Sequence, residues 1–118
     1  MKHIIVVEDD PGILEPMTIM LQKAGYSVTG FFNGSLVLAN DFTLPDMFII
    51  DKQLHDEDGL AICRHLKNQE ITKNIPVIMV SAYPSIVDFA REAKADDAIE
   101  KPFKIKELRE MVARHLQI

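Results

Sequence analysis

Short apolar runs alternate along this chain with longer stretches whose apolar residues recur every three or four positions. The first run, Ile4-Ile5-Val6-Val7, is β-branched throughout, as in a strand covered on both faces. Asp10-Pro11 follows, an N-cap residue with proline at the first helical position. Ile13, Leu14, Met17, Met20, Leu21 and Ala24 then keep helical spacing, and Gly25 is a natural stop. Pro16 lacks the N–H that a helix interior needs, so a kink or a late helix start is expected there. Tyr26 to Phe32 alternates as a second strand, and Gly34 to Asp41 predicts a short second helix. Pro45-Asp46 turns the chain into Met47-Phe48-Ile49-Ile50, a third buried strand. Asp51 to Asp58 is a polar loop, followed by a third helix over Gly59 to Asn68. Pro76 to Val80 and Ser85 to Ala93 are a fourth strand and helix, and Ala98-Ile99 is a brief fifth strand. Lys104 to Leu116 predicts a fifth helix with Ile105, Leu108, Val112 and Leu116 on one face.

Five strands alternating with five helices predict an α/β fold with a parallel sheet covered on both sides. Crossovers are expected to be right-handed. The compact arrangement for this size is the flavodoxin-like (βα)5 three-layer sandwich, strand order 2-1-3-4-5.

The 118 residues fit a single domain, 1–118, and 47% hydrophobic residues suit a folded globule. A net charge of -5 argues against tight non-specific binding to nucleic acid or anionic membrane. Cys63 has no partner for an internal disulfide. The apolar run after Lys2-His3 is too short for a signal peptide, and no run has membrane-spanning length. The expectation is a cytoplasmic protein. The chain stops after the fifth helix, so no DNA-binding or enzymatic output domain is expected, whether it stands alone or is excised from a longer protein.

In open α/β sheets ligands bind beyond the carboxyl ends of the strands, at the switch in strand order. The first strand ends in Glu8 and Asp9, the third in Asp51, the fourth in Ser81 and the fifth in Glu100-Lys101. Strand 2 ends without charge. Three carboxylates ~5 Å apart repel by roughly 3 kcal/mol per pair at an effective dielectric of ~20. One lysine cannot offset them, whereas a hard divalent cation with oxygen ligands, Mg²⁺ or Mn²⁺, can. Zinc is disfavoured, since no Cys/His pair has ligand spacing. A cation beside a carboxylate, a hydroxyl and a lysine suits phosphoryl transfer, with aspartate as the nucleophile.

From Lys2 to Leu116 the chain resembles the receiver domains of two-component response regulators, including the single-domain chemotaxis type. The resemblance rests on Ile4 to Asp10, Pro45 to Asp51, Leu54 to Gly59, Val77 to Ala82 and Lys101-Pro102-Phe103, in order and at receiver-like spacing. It implies that Asp51 is the phosphoacceptor. It implies that Asp9 and Asp51 hold Mg²⁺ directly, with Glu8 acting through water and the Gln53 backbone carbonyl as a further ligand. Lys101, the Ser81 hydroxyl and the Ala82 N–H would bind phosphoryl oxygens, and a cis peptide would precede Pro102. The donor implied is a histidine kinase or phosphotransfer protein. The readout implied is a protein partner at the helix 4-strand 5-helix 5 face, with homodimerisation on activation as one form. Three positions depart from the family. Ala98 replaces the usual aromatic, so Tyr83 becomes a candidate relay. His55 stands where proline is usual, and Lys94 where glycine is common.

Other functions have weaker support. A flavin-binding electron carrier would need a phosphate loop where Glu8-Asp9-Asp10-Pro11 would repel one. An aspartyl phosphatase would need a second aspartate at Gln53. The principal alternative to the switch is a phosphate-independent pseudo-receiver that acts as an interaction module, for which Ala98 is the argument. None of these readings makes the chain a turnover enzyme except the phosphatase.

Overall fold

The structure, a computed structural model, describes residues 1–116; the last two positions of the expected 1–118 domain lie outside the described residues. One parallel sheet contains β1 (His3–Val7), β2 (Ser27–Phe31), β3 (Met47–Asp51), β4 (Val77–Ser81) and β5 (Asp97–Glu100), in the order β2-β1-β3-β4-β5. The connecting helices are α1 (Pro11–Lys23), α2 (Ser35–Leu38), α3 (Gly59–Lys67), α4 (Ile86–Glu92) and α5 (Ile105–Leu116). The flavodoxin-like order expected from the pattern is therefore present.

The two-residue period of the strands divides the core into two layers. Ile5, Val7, Phe48, Ile50, Val77 and Met79 pack against Leu60, Ile62, Cys63 and Leu66 of α3 and Ile86 and Ala90 of α4. Ile4, Val6, Met47, Ile49, Ile78 and Val80 pack against Leu14, Met17 and Leu21 of α1 and Leu108, Val112 and Leu116 of α5. Each fully buried aliphatic or aromatic side chain contributes about 1.5–3 kcal/mol over its exposed state. This two-sided burial is why the central strands read as continuous apolar runs rather than as alternating ones.

Several local expectations need correction. α1 begins at Pro11 and runs unbroken through Pro16, so the late start does not occur. Asp10 accepts a hydrogen bond from Gly12 N–H at 2.8 Å and caps the helix early. The Gly12 carbonyl, which Pro16 leaves without an N–H, belongs to an exposed residue within reach of water. α2 is only four residues long, ending before the left-handed Asn40. The polar stretch after Asp51 contains a small antiparallel ribbon, Gln53–Leu54 against Glu57–Asp58, with Leu54 buried. Ile105, expected on the apolar face of α5, is 60% exposed, because α5 meets the sheet only from Leu108 onward. Among the described residues no helix is long and apolar enough to cross a membrane.

Candidate phosphoryl and cation site

Strand register brings the strand exits together. Val7 is level with Ile50, so Glu8 follows beside Asp51. Asp51 is level with Val80, which puts Ser81 one step beyond it, and Ser81 is level with Glu100, one step before Lys101. The backbone seals this end: Glu8 N–H donates to the Phe31 carbonyl, Lys52 N–H to the Val80 carbonyl and Lys101 N–H to the Ser81 carbonyl, at 2.7–3.0 Å.

Lys101 Nζ lies 3.0 Å from Glu8 Oε1 and 3.0 Å from Asp51 Oδ2. Glu8, Asp9 and Asp51 each bring a carboxylate oxygen within 4.8 Å of the others. Glu8 is 2% exposed and Asp51 5%. Burial, followed by the neighbouring Asp51 carboxyl, pushes the Glu8 carboxyl up to about 7, against the pull of Lys101. Burial also works against the charge on Lys101, but its bonds to Glu8 and Asp51 outweigh it and raise its pKa above the usual lysine value. One ammonium thus bonds two of the three clustered carboxylates. Hard oxygen donors in surplus negative charge fit Mg²⁺ or Mn²⁺ and not a soft metal.

The loop after β3 encloses the aspartate. Gln53 N–H donates to Asp51 Oδ1 at 3.2 Å. Asp58 caps α3 by accepting from Leu60 N–H at 2.9 Å, and Gly59 N–H donates to the Lys52 carbonyl at 2.9 Å. A Cβ on Gly59 would lie 2.0 Å from the Asp51 carbonyl oxygen, so only glycine allows this approach. His55 N–H donates to Asp9 Oδ2 at 2.6 Å, a bond that a proline at this position could not make. The His55 side chain itself is exposed and pairs with Asp56.

The other side of the site is built by the β4–α4 loop. Ser81 Oγ accepts from Gln53 Nε2 at 2.8 Å and donates to Gln53 Oε1 at 3.0 Å. It also accepts from Tyr83 N–H at 3.0 Å. Lys52 Nζ stands 5.5 Å from the ring centres of both Tyr83 and Phe89, within cation–π range of each. Ala82 is exposed and borders an open recess with Ile13, Lys101, Pro102 and Phe103. The Lys101-Pro102 peptide is cis.

Glu8, Asp9, Asp51, Gln53, Ser81 and Lys101 therefore gather at one end of the sheet. The side-chain roles of Gln53 and Lys52 were missed. Both follow Asp51 within two positions on the loop that leaves β3, and that nearness to the strand exit was the available signal. Of the three departures, Lys94 takes φ 65°, the left-handed conformation that glycine adopts without strain. Ala98 borders a cleft of about 230 Å³ between α4 and β5, lined by Val87, Ala90, Arg91 and Asp97 among others.

Comparison with known proteins agrees with this geometry. The family model for the response regulator receiver domain matches residues 4–113. The DNA-binding dual master transcriptional regulator RpaA of Synechocystis sp. is 35% identical over 111 residues, 92% of this chain and 46% of that protein. The DNA-binding response regulator MtrA of Mycolicibacterium smegmatis is 36% identical over 110 residues, 91% of this chain and 47% of that protein. The chain spans about half the length of these curated relatives. Among solved structures, the signal receiver domain of a histidine kinase from Syntrophus aciditrophicus superposes with TM-score 0.89 at 36% identity, covering 98% of this chain and 90% of that one. The response regulator TrrA of Thermotoga maritima, solved in complex with Mg²⁺-BeF, gives TM-score 0.87 at 31% identity, covering 98% and 100%. With a family match of this extent, on a chain whose strand exits converge on one acidic cleft, the chain belongs to the response regulator receiver domain family.

Proposed function

We propose that this receiver is a phosphorylation switch in which Asp51 accepts the phosphoryl group, from a histidine kinase or a phosphotransfer protein. The observation that carries the reading is the Asp51 carboxylate itself, nearly buried at the end of the central strand, held by Lys101 at 3.0 Å and flanked by Glu8 and Asp9. In the step, an Asp51 carboxylate oxygen attacks phosphorus, the bond from phosphorus to the donor imidazole nitrogen breaks, and its electron pair stays with the imidazole. Lys101 stabilises the charge on the transferring group. The Ser81 hydroxyl and the Ala82 N–H serve its remaining oxygens.

Asp9, Asp51 and the Gln53 carbonyl, with Glu8 through water, would hold Mg²⁺ or Mn²⁺. The bound ion would neutralise charge on the transferring phosphoryl group and on the Asp51 carboxylate. The acidic oxygen cluster supports this, as does the Mg²⁺-BeF complex of the Thermotoga relative. The chain is thus the recipient in a group transfer rather than a turnover catalyst, and the setting we propose is the cytoplasm.

The phosphoryl group adds ~1.5–2 negative charges beside Ser81 and Lys101. Its effect leaves the site toward α4, β5 and α5, the surface we propose a protein partner reads. Tyr83 is suited to relay it, since its N–H bonds Ser81 while its ring shares Lys52 with Phe89 of α4. No direct contact of this domain with nucleic acid is proposed. The test is intact-protein mass spectrometry after incubation with acetyl phosphate and Mg²⁺. A gain of one phosphoryl mass, absent in Asp51→Asn and without metal, is expected. No gain with any donor or metal would overturn the reading.

A further inference from the structure

Ser81 is fully buried at the end of β4, and its hydroxyl is saturated. A serine hydroxyl has one hydrogen to donate and two lone pairs with which to accept. Here the hydrogen goes to Gln53 Oε1 at 3.0 Å, while the lone pairs take Gln53 Nε2–H at 2.8 Å and Tyr83 N–H at 3.0 Å. A phosphoryl group on Asp51 needs that same hydrogen for one of its oxygens. The two acceptors compete for a single donor.

We propose that the Gln53 side-chain amide is a latch that holds Ser81 in its resting position, and that the phosphoryl group must displace it for the switch to complete. The inference rests on Ser81 being a phosphoryl ligand. Gln53 acts through Ser81 and is in this respect a positioning residue. Its backbone N–H bonds the Asp51 carboxylate at 3.2 Å, so the latch is anchored on the group that is to be modified. Gln53 is half-buried, so its amide meets water once Ser81 has left. Tyr83 N–H shares the same oxygen, so the displacement is felt at once in the segment leading to α4.

The test uses beryllofluoride with Mg²⁺ as the phosphoryl mimic, titrated into the wild type, Gln53→Leu, Ser81→Ala and the double variant. Leucine keeps most of the volume and removes both partners of the hydroxyl. Gln53→Leu is expected to bind beryllofluoride about 2- to 10-fold tighter, the factor that one net hydrogen bond commands. The gain is expected to vanish in the Ser81→Ala background, which separates a latch from a general structural effect. Without ligand, the Tyr83 amide resonance of Gln53→Leu should move toward its beryllofluoride-bound position. Gln53→Glu, whose carboxylate still accepts the serine hydrogen, is expected to bind no tighter than the wild type. Gln53→Met replaces the leucine variant if that one fails to fold. Equal or weaker binding by Gln53→Leu beside a wild type that binds overturns the latch alone, as does an undiminished gain on Ser81→Ala. A wild type that takes no beryllofluoride overturns the phosphoacceptor reading and the latch together.

Discussion

Replacing Glu8 by glutamine should stabilise the metal-free protein, and by an amount that grows with pH. Glu8 is 2% exposed and shares Lys101 with Asp51. Its carboxyl is pushed from 4.5 up to about 7, by burial first. Below 4.5 it is protonated in both folded and unfolded chains and costs nothing. Between 4.5 and about 7 the unfolded chain releases this proton while the folded chain keeps it, so stability falls as pH rises. Above about 7 both forms are ionised and the cost is constant. One proton across this window amounts to about 1.4 kcal/mol per pH unit, or about 3 kcal/mol in all. Glutamine keeps the shape and can still accept from Lys101 while carrying no charge. Urea unfolding of wild type and Glu8→Gln in chelator should give stabilities that differ by less than about 1 kcal/mol at pH 5 and by about 3 kcal/mol at pH 8. Titrating groups that do not touch Glu8 are common to both proteins and cancel in the difference. Saturating Mg²⁺ should shrink the gap, since a cation lowers the cost of ionising Glu8. A gap that does not change with pH would refute the reasoning.

Three further outcomes follow from groups away from the cleft. Lys67 Nζ donates to the Lys73 carbonyl at 3.1 Å, the Ile75 carbonyl at 2.8 Å and Asp96 Oδ2 at 2.6 Å, so Lys67→Met strands several partners at once. It should cost about 2–4 kcal/mol in chemical denaturation, and a loss under about 0.5 kcal/mol would contradict the assigned contacts. Lys94→Gly relieves the left-handed backbone at φ 65° and should raise stability by about 0.5–1 kcal/mol in thermal melts; a drop in Tm would count against it. Burial pushes the Cys63 thiol up to about 11, so a thiol reagent at neutral pH should label it only after denaturant is added, and rapid labelling of the native protein would show otherwise.

The sheet was legible because its central strands are buried on both faces, which leaves an unmistakable run such as Met47 to Ile50. The strand exits then followed from topology, so Glu8, Asp9, Asp51, Ser81 and Lys101 could be named before any contact was known. Local conformations were less legible. The helix through Pro16 depends on Asp10 capping the first turn strongly enough to tolerate a lost bond. The Gln53–Asp58 ribbon is held by Leu54, a single apolar residue among polar ones. Side-chain pairings between distant positions left no trace in spacing: Gln53 with Ser81, or Lys67 with Asp96, lie 28 and 29 positions apart. Ile105 had the right phase for the core but lies beyond the edge of the sheet, where periodicity alone cannot see.

The close approach of Gly59 to the Asp51 carbonyl has a mechanical consequence. On that side Asp51 has no slack, because α3 begins in van der Waals contact with its backbone. On the opposite side Ser81 is tied through exchangeable hydrogen bonds, and Tyr83 is 53% exposed. The cleft therefore works as a vice with one jaw bolted down. Strain introduced at Asp51 cannot be absorbed by backing into α3, so the movable jaw takes the displacement, and its direction is set by the missing side chain of one glycine.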